Sequence, residues 1–292
     1  MHRKSCLLSM WLILGGQAGA AHALDILLTN DDGWDSPGIE ALATALRADG
    51  HDVTVVAPLT QQSGSGMKIT FGELALVEQR PGVWSLDGSP ADAIGAGLAH
   101  VLAGNEPDLV VSGANFGQNL GSNVMLSGTV GAAMMAVLRG VPAIAVSVGL
   151  DLAEAGAEPR FPSTLAAFPG AADFTARLVG ALAARPDGAA LLPPGTMLNV
   201  NYPAQAEGGP ERVAWVPASD HGGFAMTYGA AEGAVLSGMA HDLAGQAEPD
   251  TDTGRFAAGA VTLSLLRPDW NHGEVPVVGL LERLSTEQLL AP

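Results

Sequence analysis

Apolar and polar positions alternate near the start of the chain in blocks that predict strands and helices in turn. Residues 24–29 and 53–57 are short apolar runs of the length typical of buried strands. Between them, apolar residues recur at helical spacing over 37–46, after a good N-cap at Ser36 and before a helix-ending Gly50. A strand, a helix and a strand within about 35 residues predict a βαβ unit with parallel strands.

The same alternation continues downstream. Ser89-Pro90-Ala91-Asp92 combines a capping residue, a helical proline and an acidic third residue, a capping-box signature. The further predicted elements are a helix from 89 to about 102, a strand at 109–111, a helix from 127 to 140 and a strand at 143–148. Because these strands are apolar enough to be buried on both faces, we predict a doubly wound, mostly parallel sheet in a three-layer α/β/α arrangement.

The second half of the chain has a weaker pattern. Residues 150–162 have the composition of a loop, and residues 163–184 that of a helix broken or offset at Pro169-Gly170. Residues 203–254 are rich in Gly, Ala, Ser, Asp and Glu, which favours an extended arm or β-hairpin. The remaining predicted elements are strands at 197–202, 212–216 and 260–266 and an amphipathic helix within 278–290.

The first 23 residues have the features of a signal peptide. A basic start precedes an apolar stretch over 6–16, and Ala21-His22-Ala23 is a small-x-small cleavage site. The apolar stretch is too short for a bilayer, which needs about 20 residues. We expect the mature chain, 24–292, to be exported to the periplasm or secreted, without membrane contact after cleavage. The alternative is a disordered or helical N-terminal extension.

Composition narrows the classes of ligand. Thirteen Lys and Arg stand against 30 Asp and Glu, a net charge of −17, which disfavours binding of a nucleic-acid polymer. An anionic substrate would need a local positive charge, which a divalent cation can supply. The single cysteine, Cys6, lies in the predicted signal peptide, so the mature chain has no disulfide, thiol nucleophile or zinc–thiolate site.

Polar, glycine-rich segments follow the predicted strands. In an open α/β sheet, ligands bind beyond the carboxyl ends of the strands, so these segments are expected to meet. The four segments are Asp31-Asp32, residues 61–66, residues 112–119 and residues 127–129 at a helix start. Their convergence is stronger evidence for a site than any one motif.

Asp31 and Asp32 are the strongest candidates for a metal anchor. Two carboxylates about 4 Å apart repel by roughly 4 kcal/mol at an effective dielectric near 20, and a divalent ion reverses that sign. With an amide oxygen and a hydroxyl from neighbouring segments, they suit one hard cation, Mg²⁺, Mn²⁺ or Ca²⁺. The alternative is that Asn30-Asp31-Asp32-Gly33 is only a turn.

Ser127-Gly128-Thr129 is a candidate phosphate site. Free N–H groups at a helix N-terminus, together with two hydroxyls, are well suited to bind phosphate. The alternative interpretation is a helix cap without a ligand.

In the order and spacing of several motifs, the chain resembles the SurE family of metal-dependent nucleotidases. The matching segments are Leu27–Gly33 (LLTNDDG), Ser36–Ile39 (SPGI), Val55–Pro58 (VVAP), Gln62–Gly64 (QSG), Gly88–Asp92 (GSPAD), Val111–Asn119 (VSGANFGQN) and Ser127–Met134 (SGTVGAAM). Departures include Gln61-Gln62, where the family usually has basic or mixed polar residues, and the poorly matching residues 203–254.

The resemblance implies a Rossmann-like fold and specific roles. Metal ligands would fall on Asp31, Asp32, Ser63 and Asn115. Phosphate binding would fall on Asn30, Ser127, Gly128 and Thr129. Family members hydrolyse nucleoside 5′- and 3′-monophosphates, some act on polyphosphate, and they form dimers or tetramers with exchanged C-terminal arms. The resemblance therefore implies an active site in 24–150 and an oligomerisation arm in 151–292.

The expected chemistry is metal-assisted hydrolysis, with Asp31, Asp32 and Asn115 as catalytic residues. One divalent ion per subunit would activate water, and Asp31 or Asp32 would accept its proton. An aspartyl-phosphate route remains open, although the Asp-x-Asp spacing of its best-known users is missing. The rival from another class is an exported protein that binds nucleotide or phosphate without turnover.

Overall fold

The computed structural model describes residues 22–184, 189–204, 209–240 and 248–269. Its strands are β1 (Asp25–Thr29), β2 (Asp52–Pro58), β3 (Leu76–Arg80), β4 (Val83–Leu86), β5 (Leu109–Phe116), β6 (Ala143–Val148), β7 (Met197–Tyr202), β8 (Val213–Trp215), β9 (Ala225–Ala231), β10 (Ala234–Ala240) and β11 (Val261–Leu266). Its α-helices are α1 (Pro37–Ala48), α2 (Pro90–Ala96), α3 (Gly128–Leu138), α4 (Pro162–Ala183) and α5 (Asp252–Ala257). The predicted helix within 278–290 lies outside the described residues.

The central sheet has the order β3-β4-β2-β1-β5-β6-β7-β11-β8. Strands β4, β2, β1, β5, β6 and β7 run parallel, whereas β3 and β11 are antiparallel to their neighbours β4 and β7. The chain moves outward from β1 to β2 on one side and to β5 on the other. This reversal of strand order creates a crevice beyond the carboxyl ends of β1 and β5.

Both faces of the sheet are covered, which confirms the three-layer α/β/α prediction. Leu28 packs with residues of α1 and α4 on one face, and Leu27 packs with residues of α2 and α3 on the other. Successive side chains of a strand point to opposite faces, so an unbroken apolar run serves both layers.

Several boundaries differ from the predictions. Helix α4 continues through Pro169 without a break. Strands β3 and β4 carry no strong sequence signal, because β3 is an exposed edge strand ending in Glu78-Gln79-Arg80 and β4 has four residues. Strand β5 extends to Phe116 across a register shift between Ser112 and Asn115, where Gly113 has φ +137°. Asn115 therefore sits on a strand end and not in a free loop.

The region predicted as an arm contains two structures. Strand β8 lies within the strand predicted over 212–216, and it joins the central sheet beside β11. Strands β9 and β10 form a separate antiparallel hairpin whose side chains are almost all exposed. Within the described parts of the chain, no helix is long and apolar enough to cross a membrane.

Candidate active site

A cavity of about 440 Å³ opens beyond the carboxyl ends of β1 and β5. Four residues singled out from the sequence line it, and they come from four different segments: Asp31, Ser63, Asn115 and Ser127. The four polar segments predicted to meet therefore do meet, at the crevice where the strand order reverses.

Asp31 is held by the start of α3. Its side chain is 2% exposed, and the Thr129 hydroxyl donates a 2.6 Å hydrogen bond to its Oδ1. The backbone N–H groups of Gly128 and Thr129 also donate to this carboxylate. Burial raises the pKa of Asp31, and these hydrogen bonds only partly oppose the rise.

Gly128 allows this close approach. A Cβ at residue 128 would lie 2.8 Å from the Cβ of Asp31 and 2.6 Å from the Oγ of Ser65. Any side chain there would push the helix start away from the carboxylate.

Asp32 is the second carboxylate of the pair. Its Oδ2 accepts a 2.8 Å hydrogen bond from the backbone N–H of Phe116 at the end of β5. Burial, followed by the charge of Asp31, raises the pKa of Asp32 to about 7. The two groups thus share a region that resists holding two negative charges.

Ser63 and Asn115 complete the predicted ligand set. The loop that carries Ser63 is tied to the site because the N–H of Gln62 donates a 2.6 Å bond to the carbonyl oxygen of Asp31. The Nδ2 of Asn115 donates to the carbonyl oxygen of Gly117 at 2.6 Å. The carbonyl oxygen Oδ1 of Asn115 is therefore the atom suited to serve as a ligand.

These donors fit a hard divalent cation. They comprise two carboxylates whose pKa values are raised, one amide oxygen and one hydroxyl. Asp31, Ser63 and Asn115 line the cavity, whereas Asp32 lies outside its lining residues. No Lys or Arg among the described residues lines the cavity, so a cation would be the main source of positive charge. Among the described residues, no three His, Cys, Asp or Glu side chains are grouped so that they could hold a metal ion by themselves.

The predicted phosphate-binding residues separate into two groups. Ser127 lines the cavity, and because its Oγ accepts a bond from the N–H of Val130 at 3.1 Å, its own proton is left to donate. Gly128 and Thr129 instead direct their donors at Asp31. The start of α3 therefore provides hydrogen-bond donors to the Asp31 carboxylate as well as to any bound ligand.

Asn30 lies outside the residues that line the cavity. Its side chain is fully buried, and its Nδ2 donates to the carbonyl oxygen of Gly33 at 2.9 Å and to the Oγ of Ser36 at 2.7 Å. Its Oδ1 accepts from the N–H of Gly33. Both side-chain donors are used inside the turn, so the structure gives Asn30 a role in shaping the loop that carries the two aspartates.

The sequence did not predict the contribution of the β9–β10 hairpin. Met226, Tyr228 and Met239 line the cavity together with Phe224, which precedes the hairpin. Small residues interrupt the alternation of hydrophobic and polar positions over 225–240, so the sequence pattern does not indicate that one face of the hairpin lines a cavity.

The base of the hairpin is attached to the loop that follows β5. The Asn123 side chain accepts from the N–H of Phe224 at 2.9 Å and donates to its carbonyl oxygen at 3.1 Å. The Asp252 carboxylate accepts from the N–H groups of Gly121 and Ser219. These bonds place the hairpin beside the cavity.

Comparison with known proteins agrees with the motifs. The family model described as "Survival protein SurE" matches residues 26–222. A "5'-nucleotidase SurE" from Geobacter metallireducens is 45% identical over 181 residues, which cover 62% of this chain and 65% of that protein. A protein of the same name from Treponema pallidum is 45% identical over 162 residues, covering 54% of this chain and 82% of that protein.

A solved structure supports the same relationship. The crystal structure of a SurE protein from Aquifex aeolicus matches with a TM-score of 0.71 and 29% identity, over 89% of this chain and 99% of that chain. The chain spans just under two thirds of the Geobacter relative. The family match includes every predicted metal ligand, and the suspected resemblance is confirmed: the chain belongs to the SurE family.

Proposed function

We propose that the chain is a divalent-metal-dependent phosphomonoesterase that hydrolyses nucleoside 5′-monophosphates, and also 3′-monophosphates, to nucleoside and phosphate. The observation that supports this proposal most directly is the carboxylate pair at the crevice beyond β1 and β5, formed by the buried Asp31 and the half-buried Asp32. The relatives are named 5'-nucleotidases, which supports this activity and favours turnover over binding alone.

The residues of the site divide the work. Asp31, Asp32, Ser63 and Asn115 would hold one Mg²⁺, Mn²⁺ or Ca²⁺ ion per subunit. When bound, such an ion polarises a phosphoryl oxygen and lowers the pKa of a nearby water. Asp31 is fixed by three donors, so it acts chiefly as a ligand.

Asp32 is the better candidate for general base. One of its oxygens is held by Phe116, which leaves the other to accept the proton of the attacking water. The water oxygen forms the new bond to phosphorus as the bond between phosphorus and the ester oxygen on the opposite side breaks. The ester oxygen leaves with the nucleoside and takes up a proton from solvent, to which Asp32 later releases its own. The Ser127 hydroxyl donates to a phosphoryl oxygen as negative charge builds there.

A substrate panel after complete chelation tests this proposal. Protein dialysed against EDTA is expected to release no phosphate from AMP, 3′-AMP or p-nitrophenyl phosphate, and added Mn²⁺ or Mg²⁺ is expected to restore release, since the carboxylates alone cannot neutralise the substrate. Phosphate release is followed colorimetrically, with Ca²⁺ as a third metal. Undiminished turnover after chelation contradicts metal dependence, and tight binding without release in every metal selects the binding-protein alternative.

We further propose that residues 1–23 are a signal peptide and that the exported chain, 24–292, forms a homodimer or homotetramer. The basic and apolar segments before the small-x-small site support export. Expression with the natural N-terminus in a Gram-negative host is expected to yield periplasmic protein that begins at Leu24. Mass spectrometry and light scattering check the mass of the chain and of the assembly. Protein that begins at Met1 contradicts cleavage.

A further inference from the structure

The lining of the cavity comprises the polar site residues, called here the polar end, and a mostly apolar remainder that also includes Gln118, Asn119 and Asn123. The polar end contains Asp31, Ser63, Asn115 and Ser127. The apolar remainder includes a surface that we call the hairpin wall, formed by Met226, Tyr228 and Met239. Binding and hydrolysis of a phosphate group require only the polar end. The hairpin wall therefore requires its own explanation.

Strand register places the hairpin wall on one face of the hairpin. Met226 lies opposite Met239, and Tyr228 lies two residues further along β9. Side chains two apart on a strand point to the same face, so these three project together. Leu236 lies opposite Gly229, an odd step away, and therefore projects from the other face.

The hairpin wall is both anchored and uncovered. Asn123 holds both backbone polar atoms of Phe224, which directly precedes β9. Tyr228 is nevertheless 71% exposed and Met239 56% exposed. An exposed aromatic ring at the lining of the cavity is suited to stacking on a flat ligand.

We propose that the hairpin wall binds the base of the nucleoside monophosphate, with the Tyr228 ring stacked on the base. This inference rests on the proposed function, because the metal end fixes the phosphate and the base extends from it. Tyrosine presents an aromatic face, and methionine adapts to varied ring shapes. Asp31 is the only charged side chain among the described lining residues, so the apolar remainder suits an uncharged base.

The cavity is large enough for this arrangement. Sites for ligands of this size have volumes of about 300–1,000 Å³, and the observed cavity of about 440 Å³ falls in that range. Stacking tolerates every base because each has an aromatic face. The subsite therefore distinguishes nucleotides from phosphate esters without a base, more than one base from another.

Paired substrates test the subsite in the metal-loaded full chain. Tyr228→Ala is expected to lower kcat/KM for AMP roughly 5- to 100-fold, mainly through KM, and to leave ribose 5-phosphate unchanged because it has no base. Tyr228→Phe is expected to keep the wild-type value for AMP. Leu236→Ala, on the other face of the hairpin, is the matched control and is expected to change neither substrate.

Several results would overturn the subsite. One is an unchanged KM for AMP in Tyr228→Ala. Another is an equal loss for AMP and ribose 5-phosphate accompanied by a change of assembly mass in light scattering, which would make the hairpin wall an interface between copies of the chain.

Binding of adenosine, which carries no phosphate, separates this inference from the proposed function. Calorimetry on chelated protein is expected to show adenosine binding that Tyr228→Ala weakens. Adenosine binding without phosphate release in any metal would contradict the proposed hydrolase activity and support the base subsite. Hydrolysis of AMP without adenosine binding would support the hydrolase activity and contradict the base subsite.

Discussion

Asp32→Asn is expected to lower kcat/KM for AMP by at least about 100-fold while making the metal-free protein more stable. Loss of one carboxylate removes a metal ligand and the proposed base, and each such role is worth about two or more orders of magnitude. Asparagine can still accept the bond from Phe116, so the loop is expected to stay folded. Phosphate release with Mn²⁺ measures the first effect.

The stability gain depends on pH in a defined direction. The pKa of Asp32 is raised to about 7 from an ordinary 3.8, so the folded state binds its proton more tightly than the unfolded state does. The associated stability is present below the ordinary value and is lost as pH rises through about 7. Metal-free Asp32→Asn should therefore melt several degrees higher than wild type at pH 8, and no higher near pH 4.

Asp35→Asn, at an exposed position three residues along, is the matched control. It is expected to change neither turnover nor the melting temperature. Wild-type turnover in a folded Asp32→Asn protein would contradict the assigned roles of Asp32. Equal melting temperatures of the metal-free proteins at pH 8 would show that the carboxylate pair is not under electrostatic strain.

Gly128→Ala is expected to abolish metal binding and turnover together. The added Cβ would lie closer than 3.0 Å to atoms of Asp31 and Ser65, so the start of α3 or the aspartate loop must move. Such a shift breaks the N–H bonds that fix the carboxylate and displaces it by a fraction of an ångström or more, enough to lose about 100-fold in rate. Calorimetric titration with Mn²⁺ and phosphate release measure the two losses.

Gly95→Ala provides the control for Gly128→Ala. Gly95 lies inside α2 with open space where a Cβ would stand, so alanine is expected to raise stability by about 0.5–1 kcal/mol and to leave activity unchanged. Wild-type manganese affinity in Gly128→Ala would show that the close contact of α3 with Asp31 is not needed for the metal site.

The sequence predicted the parts of the fold that follow from local rules. Buried strands such as β1 and β6 are continuous apolar runs, and α1 begins with its proline where Ser36 predicts a cap. The convergence of Asp31, Ser63 and Asn115 followed from the general rule that parallel strands present their carboxyl ends at one edge. The SurE resemblance supplied the individual roles.

Other features depend on contacts between distant segments, which one sequence does not reveal. The engagement of Thr129 with Asp31 requires the exact placement of α3 against β1. The internal bonding of Asn30 is visible only when its turn is built. The hairpin could not be assigned to the cavity because its position comes from Asn123 and Asp252, which are remote in sequence from β9.

The exposure of the β9–β10 hairpin has an evolutionary consequence. Its side chains contribute little to the core, so their replacement costs the fold little, whereas the aspartates and Gly128 tolerate almost no change. The aspartates and Gly128 can therefore stay constant and preserve the reaction. The hairpin, encoded by a separate stretch of the gene, can meanwhile change and alter which substrates are accepted.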